Sequence, residues 1–266
     1  MMDNYKKILI PLAIKAGEEI MKFFGSNYIL NKKIDDSPVT EADLAANSLI
    51  LEELQKTGLP ILSEESKITD FYDRKNWKKF WMIDPLDGTG QFINNETDFT
   101  VNIALIENNN VTEGIVYLPV NKKLYYGNLQ DGAIKMDLKL SEEAEFKLPS
   151  HHNENMVIIA SKSNLTNETN DYLNQIKVFI PDVETINVGS SLKFCSVADG
   201  VADIYPRIGP ISEWDIAAGH AVLKSAGGNV IDKHTKKEIE YNTISLETPD
   251  FIAYQDKQKL NKILFI

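Results

Sequence analysis

Between residues 80 and 136 the chain carries short apolar runs at 80–83, 100–106, 111–118, 123–127 and 132–136, parted by turns such as Asn108-Asn109-Asn110. Runs of strand length joined by Asn-rich or Gly-bearing turns favour antiparallel neighbours, and a further run at 60–63 leads into them. The spacing predicts a largely antiparallel sheet that needs an apolar cover. Two N-terminal helices are expected to provide it. The first places Ile8, Leu12, Ala16, Ile20, Phe23 and Phe24 on one side and is entered or kinked at Pro11. The second runs over 40–56, with Thr40 as N-cap, Asp43 at capping-box spacing, and Leu44, Ile50, Leu51 and Leu54 on one face, ending at Gly58 and Pro60.

The stretch from Leu138 to Asn155 is polar and charged, so it marks an expected boundary between a lobe of residues 1–145 and a lobe of residues 146–266. Beyond it, strand-like runs (156–160, 183–188, 201–205, 228–231, 251–253) alternate with helical segments (166–175, 190–198, 213–226, 256–264). That alternation predicts an α/β second lobe. A length of 266 residues suits one large domain or two closely packed lobes.

A net charge of −11 repels a nucleic-acid backbone, so nucleic acid duplexes are not expected partners and any anionic ligand has to be held locally. The only cysteine, Cys195, excludes an intramolecular disulfide, and the scattered His151, His152, His220 and His234 make a poor transition-metal set. A cytoplasmic setting is expected. Lys6-Lys7 followed by Ile8 to Ile14 imitates a secretion signal, but no cleavage site follows and Glu18-Glu19 arrive too early. No apolar run reaches the roughly 18 to 20 residues that span a bilayer.

Chemistry concentrates at Trp81-Met82-Ile83-Asp84-Pro85-Leu86-Asp87-Gly88-Thr89. A strand delivers Asp84, Pro85 is expected to stop the ladder, and a tight turn returns Asp87 to the same point. Paired hard oxygens suit Mg²⁺, the Leu86 carbonyl is a further candidate ligand, and Gly88-Thr89 open a helix whose free N–H groups face an anion. Glu64 ends another strand, and Asp215 opens the apolar helix after Ser212. Taken singly, Asp43 and Asp215 read as capping-box residues and Glu64-Glu65 as solvated loop carboxylates. Together, carboxylates at four element ends (Glu64, Asp84, Asp87, Asp215) mark a candidate site.

Asp84-Pro-Leu-Asp-Gly-Thr89, with Ser63-Glu64-Glu65 before it and Glu213-Trp214-Asp215-x-Ala-Ala-Gly219 after it, resembles the lithium-sensitive, magnesium-dependent phosphatase superfamily that includes inositol monophosphatase. Ser37-Pro-Val-Thr-x-Ala-Asp43, Phe99-Thr-Val-Asn-Ile-Ala-Leu105, Gly189-Ser-Ser-Leu-Lys-Phe-Cys195 and Ala202-Asp-Ile-Tyr-Pro-Arg207 narrow the resemblance to its CysQ-type 3′(2′),5′-bisphosphate nucleotidases. The resemblance spans nearly the whole chain. It implies α+β and α/β parts joined in a five-layered αβαβα sandwich of the inositol monophosphatase and fructose bisphosphatase type. The implied reaction is hydrolysis of 3′-phosphoadenosine 5′-phosphate, a small phosphorylated nucleotide, to AMP and phosphate.

By the same resemblance, two or three Mg²⁺ ions, with Mn²⁺ as a substitute, are held by Glu64, Asp84, the Leu86 carbonyl, Asp87 and Asp215. Asp43 and Thr89 activate the attacking water, with Glu64 sharing the role. Gly88 and Thr89 present N–H groups to the phosphate, and Ser161, Lys193, Arg207, Glu213 and Asp215 contact the nucleotide. The chain departs from the branch at Lys162 and Asn164, where Arg and His are usual, and at Gly90-Gln91 and Asn94-Asn95, where Lys-Glu and a basic pair are usual. These departures bear on adenine and 5′-phosphate recognition and keep an inositol, sugar-phosphate or NADP phosphatase as the alternative. A non-catalytic nucleotide or metal sensor is the rival of another class. Homodimer formation and contact with the inner face of a membrane are left open.

Overall fold

The structure is a computed structural model that describes residues 5–26, 30–32, 38–140, 144–162 and 166–264. The chain begins with α1 (Lys6–Met21), an antiparallel ribbon of β1 (Leu30–Lys32) and β2 (Pro38–Thr40), and α2 (Glu41–Gln55). There follow β3 (Ile61–Ser63), α3 (Phe71–Arg74), β4 (Lys79–Asp87), α4 (Thr89–Ile93), β5 (Thr100–Glu107), β6 (Asn110–Leu118), β7 (Lys123–Asn128), β8 (Gly132–Asp137) and β9 (Glu145–Lys147). Strands β3 to β9 pair in chain order into one sheet, parallel between β3 and β4 and antiparallel thereafter, as the turn spacing predicts. The polar stretch after Leu138 contributes β9, an exposed edge strand whose charged Glu145 and Lys147 discourage further pairing.

The second half alternates as expected: β10 (Val157–Ser161), α5 (Asn167–Phe179), β11 (Glu184–Val188), α6 (Leu192–Asp199), β12 (Ile204–Arg207), α7 (Glu213–Ser225), β13 (Asn229–Asp232), β14 (Phe251–Tyr254) and α8 (Lys257–Asn261). Its five strands order as β11-β10-β12-β14-β13, with β10 parallel to both neighbours and the remaining pairs antiparallel. Among the described residues no helix is long and apolar enough to cross a membrane.

Three apolar layers bind these elements into the αβαβα sandwich. Leu12, Ala16 and Ile20 of α1 and Ile50 and Leu54 of α2 cover Trp81, Ile83 and Ile103 on one face of the large sheet. The alternate residues Met82, Ala104 and Val116 face Ala217, Ala218 and Ala221 of α7, and that layer continues through Phe194 to Tyr205 and Phe251 of the second sheet. Ile158, Ile204 and Ile252 on the far face meet Tyr172, Ile176 and Leu260 of the outer helices. Because both faces of each sheet are covered, the strands read as nearly continuous apolar runs.

Two sequence readings need correction. Leu44 is exposed and Leu51 half-buried, because α2 turns Ala42, Ala46, Ile50 and Leu54 inward and its small residues let α1 approach. At about 100° per residue Leu51 falls at the edge of the buried face, where it still packs against the core, and Leu44 falls beyond it. Pro85 does not stop the ladder. β4 runs on to Asp87, and the register shifts between Asp84, opposite Asn102, and Asp87, opposite Thr100. Three steps on β4 against two on β5 is a bulge, which accommodates the missing proline N–H without ending the strand.

The depth at which α7 seats is set by two glycines that are register partners on β6 and β7, Gly114 and Gly127. A Cβ on Gly114 would fall 2.7 Å from Ala221 Cβ and 2.8 Å from the Ala218 carbonyl oxygen, and one on Gly127 would fall 2.7 Å from Val222 Cα. Most of those neighbours are backbone and cannot swing aside. Gly127→Ala is therefore expected to cost about 1–3 kcal/mol as α7 is pushed outward. Urea unfolding will show this as an earlier midpoint, and an unchanged midpoint would mean that the helix is free to shift.

Candidate active site

The β4 bulge decides where the carboxylates point. In an unbroken strand residues three apart face opposite sides, so Asp84 and Asp87 would be separated by the sheet. The extra residue shifts the alternation and brings both to one side. On the other flank β3 pairs parallel with β4, Ser63 opposite Ile83, and Glu64 extends the ladder by donating its N–H to the Ile83 carbonyl at 3.1 Å. This carries Glu64 alongside Asp84. The loop behind it is held by Asn47 of α2, which accepts from Ser63 Oγ at 2.7 Å and donates to the Glu65 carbonyl at 3.4 Å.

Asp215 arrives from the opposite half on the first turn of α7. Ser212 and Asp215 form a capping box in which the Ser212 N–H donates to Asp215 Oδ2 at 3.2 Å. Single carboxylate oxygens of Glu64, Asp84 and Asp215 all lie within 4.8 Å of one another. Asp87 lines the same cleft, its Oδ2 accepting from the Ser191 N–H at 2.6 Å, from Asn102 Nδ2 at 3.3 Å and from Thr100 Oγ1 at 3.4 Å. The bond from Ser191, at the start of α6, ties the two halves together at the cleft floor.

Asp43 satisfies both of its readings at once. Its Oδ2 accepts from the Thr40 N–H at 2.8 Å and from the Thr40 hydroxyl, completing a capping box. Its Oδ1 accepts from the Thr89 hydroxyl at 3.0 Å, and that hydroxyl also lies 3.3 Å from the Leu86 carbonyl. The cap thus orients a carboxylate whose second oxygen is turned to the site. Burial raises the Asp43 pKa, against the opposing hydrogen bonds from Thr40 and Thr89.

The cleft encloses about 450 Å³ and is lined by Glu64, Asp87, Gly88, Ser161, Ser190, Lys193, Arg207 and Asp215, with Gln91, Asn94 and Glu96 along one wall. Lys193 is only 7% exposed; it donates to the Ser190 carbonyl at 2.7 Å and sits over the Tyr205 ring. Burial lowers its pKa to about 8, although Asp87 favours the charged form. Gly88 caps α4 with φ 97°, a left-handed conformation suited to glycine.

Glu213 is the site residue that the structure removes from the cleft. Its side chain is fully buried and accepts from the N–H groups of Asn242 at 2.7 Å and Thr243 at 2.9 Å, and from the Thr243 hydroxyl. The first helical position of α7 turns it away from the cleft and toward the 242–243 turn. Asn164 lies outside the described residues. Sequence reasoning missed the backbone N–H of Ser191, which has no sequence signature, and Glu96, which reads as a solvated loop residue. Asn102 carried a usable signal as a polar residue inside the apolar run of β5.

The donor set fits a hard divalent cation. It consists of oxygens alone. Among the described residues the buried Asn102 Oδ1 has no partner. Burial, followed by the charges of Glu64, Asp87 and Asp215, pushes the Asp84 carboxyl well above its ordinary range. Burial with Asp87 and Glu64 does the same to Asp215. The site therefore concentrates negative charge where a cation would neutralise it.

Comparison with known proteins agrees with this geometry. The family model for the inositol monophosphatase family matches residues 1–264. The 3′(2′),5′-bisphosphate nucleotidase CysQ of Salmonella typhimurium is 40% identical over 225 residues, covering 83% of this chain and 87% of that protein. The crystal structure of CysQ from Bacteroides thetaiotaomicron superposes with a TM-score of 0.83 at 38% identity, covering 93% of this chain and 96% of that one. An inositol monophosphatase from Thermotoga maritima gives a TM-score of 0.75 at 25% identity over 96% of this chain and 93% of its own.

The raised carboxyl pKa values fix the sign of a stability effect. Groups that hold protons more tightly folded than unfolded stabilise the fold below the unfolded pKa, and that stability is lost as pH rises through the folded value. The metal-free protein is thus expected to gain less stability from Asp84 and Asp215 at about pH 8 than at about pH 5, and Mg²⁺ to restore it at the higher pH. Asp84→Asn should flatten this dependence and raise the metal-free melting temperature by at least ~2–4 °C, the shift that about 1 kcal/mol produces in a chain of this size. Thermal melts with and without Mg²⁺ test it; a variant that is less stable at every pH would show that Asp84 stabilises the apo fold.

Proposed function

The chain belongs to the inositol monophosphatase family, and on that premise we propose that it is a Mg²⁺-dependent phosphatase that removes the 3′-phosphate of 3′-phosphoadenosine 5′-phosphate. The observation that carries the proposal is the presence of both a carboxylate cluster and two cations within one cleft. Glu64, Asp87 and Asp215 line it beside buried Asp84, and Lys193 and Arg207 line the same space within electrostatic reach of Asp87 and Asp215. On a protein of net charge −11, these two cations are a local provision for an anionic group. A substrate with a scissile phosphate and a second phosphate uses both the carboxylate cluster, through the metal it would hold, and the two cations. The similarity to proteins named 3′(2′),5′-bisphosphate nucleotidase supports the same substrate class.

In this reading Glu64, Asp84, the Leu86 carbonyl, Asp87 and Asp215 would hold Mg²⁺. The metal, when bound there, would supply a Lewis acid able to activate water and to offset charge on the reacting phosphate. Thr89 accepts a proton from the attacking water as its own passes to Asp43, along the 3.0 Å hydrogen bond between them. Burial makes Asp43 a better base than an exposed aspartate. Gly88 and Ser161 border the substrate, and Lys193 and Arg207 bind the phosphate that stays. The expected boundary at 145/146 falls inside β9, so the division is drawn after that strand: the part up to β9 supplies Asp43, Glu64, Asp84 and Asp87, and the part beyond it supplies Asp215, Lys193 and Arg207.

Uncharged Gln91 and Asn94 along the cleft wall favour, as a second reading, a phosphatase for inositol or sugar phosphates. Comparing kcat/KM for 3′-phosphoadenosine 5′-phosphate, AMP and inositol 1-phosphate separates the two. Lys193→Ala is expected to lower kcat/KM on the bisphosphate by roughly tenfold or more, the value of a buried charge-assisted contact, with a smaller effect on inositol 1-phosphate. Equal losses on both substrates would favour the sugar-phosphate reading. EDTA should abolish turnover and Mg²⁺ restore it. Asp43→Asn is expected to lose about 1 kcal/mol of stability from the cap and, in addition, about 10²- to 10⁴-fold in kcat. Turnover that survives this change would leave Asp43 as a cap alone.

A further inference from the structure

An ion pair at the edge of the cleft has no part in the hydrolytic scheme. Glu96 follows α4 and lines the cleft, and Lys162 stands one residue beyond Ser161, which lines it from the end of β10. Lys162 Nζ lies 2.6 Å from Glu96 Oε2, joining positions 66 residues apart. The Lys162 N–H also donates to the Val188 carbonyl at 3.2 Å, which anchors its backbone beside β11. The bond between the side chains therefore spans from the α4 side of the cleft to the β10 side.

The pair is built to exchange. Its side chains are 47% and 35% exposed, so solvent screens the attraction and neither partner is locked. Glu96, with Asp98 beyond it, raises the Lys162 pKa and keeps the ammonium charged. Among the lining residues Glu64, Asp87, Glu96 and Asp215 oppose only Lys193 and Arg207, so an entering dianion meets excess negative charge. A phosphate carries up to two negative charges and three acceptor oxygens, and outcompetes a single carboxylate for an exposed ammonium.

We propose that Glu96 and Lys162 form an exchangeable clasp at the cleft mouth, in which a substrate's second phosphate takes the place of Glu96 on Lys162. Glu96 masks the cation until a group of sufficient charge arrives, and so sets the discrimination between bisphosphorylated and monophosphorylated substrates. The substrate class is taken from the nucleotidase reading; the clasp is tested apart from it.

Glu96→Gln, Lys162→Ala and the double variant are to be compared by kcat and KM on 3′-phosphoadenosine 5′-phosphate and inositol 1-phosphate, and by the Ki of the bisphosphate against inositol 1-phosphate hydrolysis. Glu96→Gln is expected to lower KM for the bisphosphate about two- to fivefold, the scale of an exposed charge pair, with a smaller change in kcat. Lys162→Ala should raise that KM by a similar factor and cancel the gain in the double variant. A gain from Glu96→Gln that persists without Lys162, that is equal on inositol 1-phosphate, or that is absent overturns the clasp. If no variant hydrolyses the bisphosphate, the nucleotidase reading fails and the Ki decides. Inhibition tightened by Glu96→Gln only when Lys162 is present sustains the clasp, and a Ki indifferent to both residues overturns it.

Discussion

Mutual repulsion among Glu64, Asp84, Asp87 and Asp215 is the force that the structure around the cleft has to resist. Carboxylates gathered in a poorly solvated space favour separation or protonation. Separation is blocked by the backbone. The β4 bulge fixes Asp84 and Asp87 on one side of the sheet, the β3 ladder continues as far as Glu64, and the Ser212 N–H holds Asp215 on the first turn of α7. The glycine pair on β6 and β7 seats that helix at the required depth. A fold that surrounds like charges in this way gives up stability in its metal-free form in return for a ready cation site.

Capping interactions at two helix starts also serve the site. A capping box places a carboxylate on the first turn, where the helix dipole favours negative charge and the N-cap N–H occupies one of its oxygens. In α2 this leaves Asp43 Oδ1 for Thr89, and in α7 it leaves Asp215 with an oxygen near Glu64 and Asp84. Local stability and site geometry are therefore carried by the same atoms. A loss of activity in a variant at either position has to be judged against the accompanying loss of stability.

Charge within the cleft is arranged against the charge of the whole molecule. With −11 overall, long-range attraction gives no help to an anionic substrate, so recognition depends on cations held at short range. Lys193 is buried against Tyr205 and keeps its position through the Ser190 carbonyl. Lys162 is exposed and shared with Glu96. A buried cation and an exchangeable one have different physical uses: the first is preorganised, and the second responds to what enters.

The apolar runs determined the strands of both sheets except the polar edge strand β9, and the alternating helices of the second half, because strand and helix periods are local properties of sequence. The motif around Asp84, read with Glu64 and Asp215, marked the metal-site region because carboxylates at element ends are visible without coordinates. Tertiary structure decided what depends on direction. Leu44 faces outward and Leu51 sits at the edge of the buried face because the contact with α1 is set by the small residues of α2, and Pro85 lies within a strand because the bulge absorbs its missing N–H. Glu213, inside the most recognisable motif of the second half, turns from the cleft to the 242–243 turn because its place on α7 points that way. The Ser191 N–H on Asp87 joins residues 104 positions apart, and the Glu96–Lys162 pair joins residues 66 positions apart. Sequence fixes which groups are available by local period and composition; only the packing of α7 and the two sheets decides which of them meet, because those contacts lie far apart along the chain.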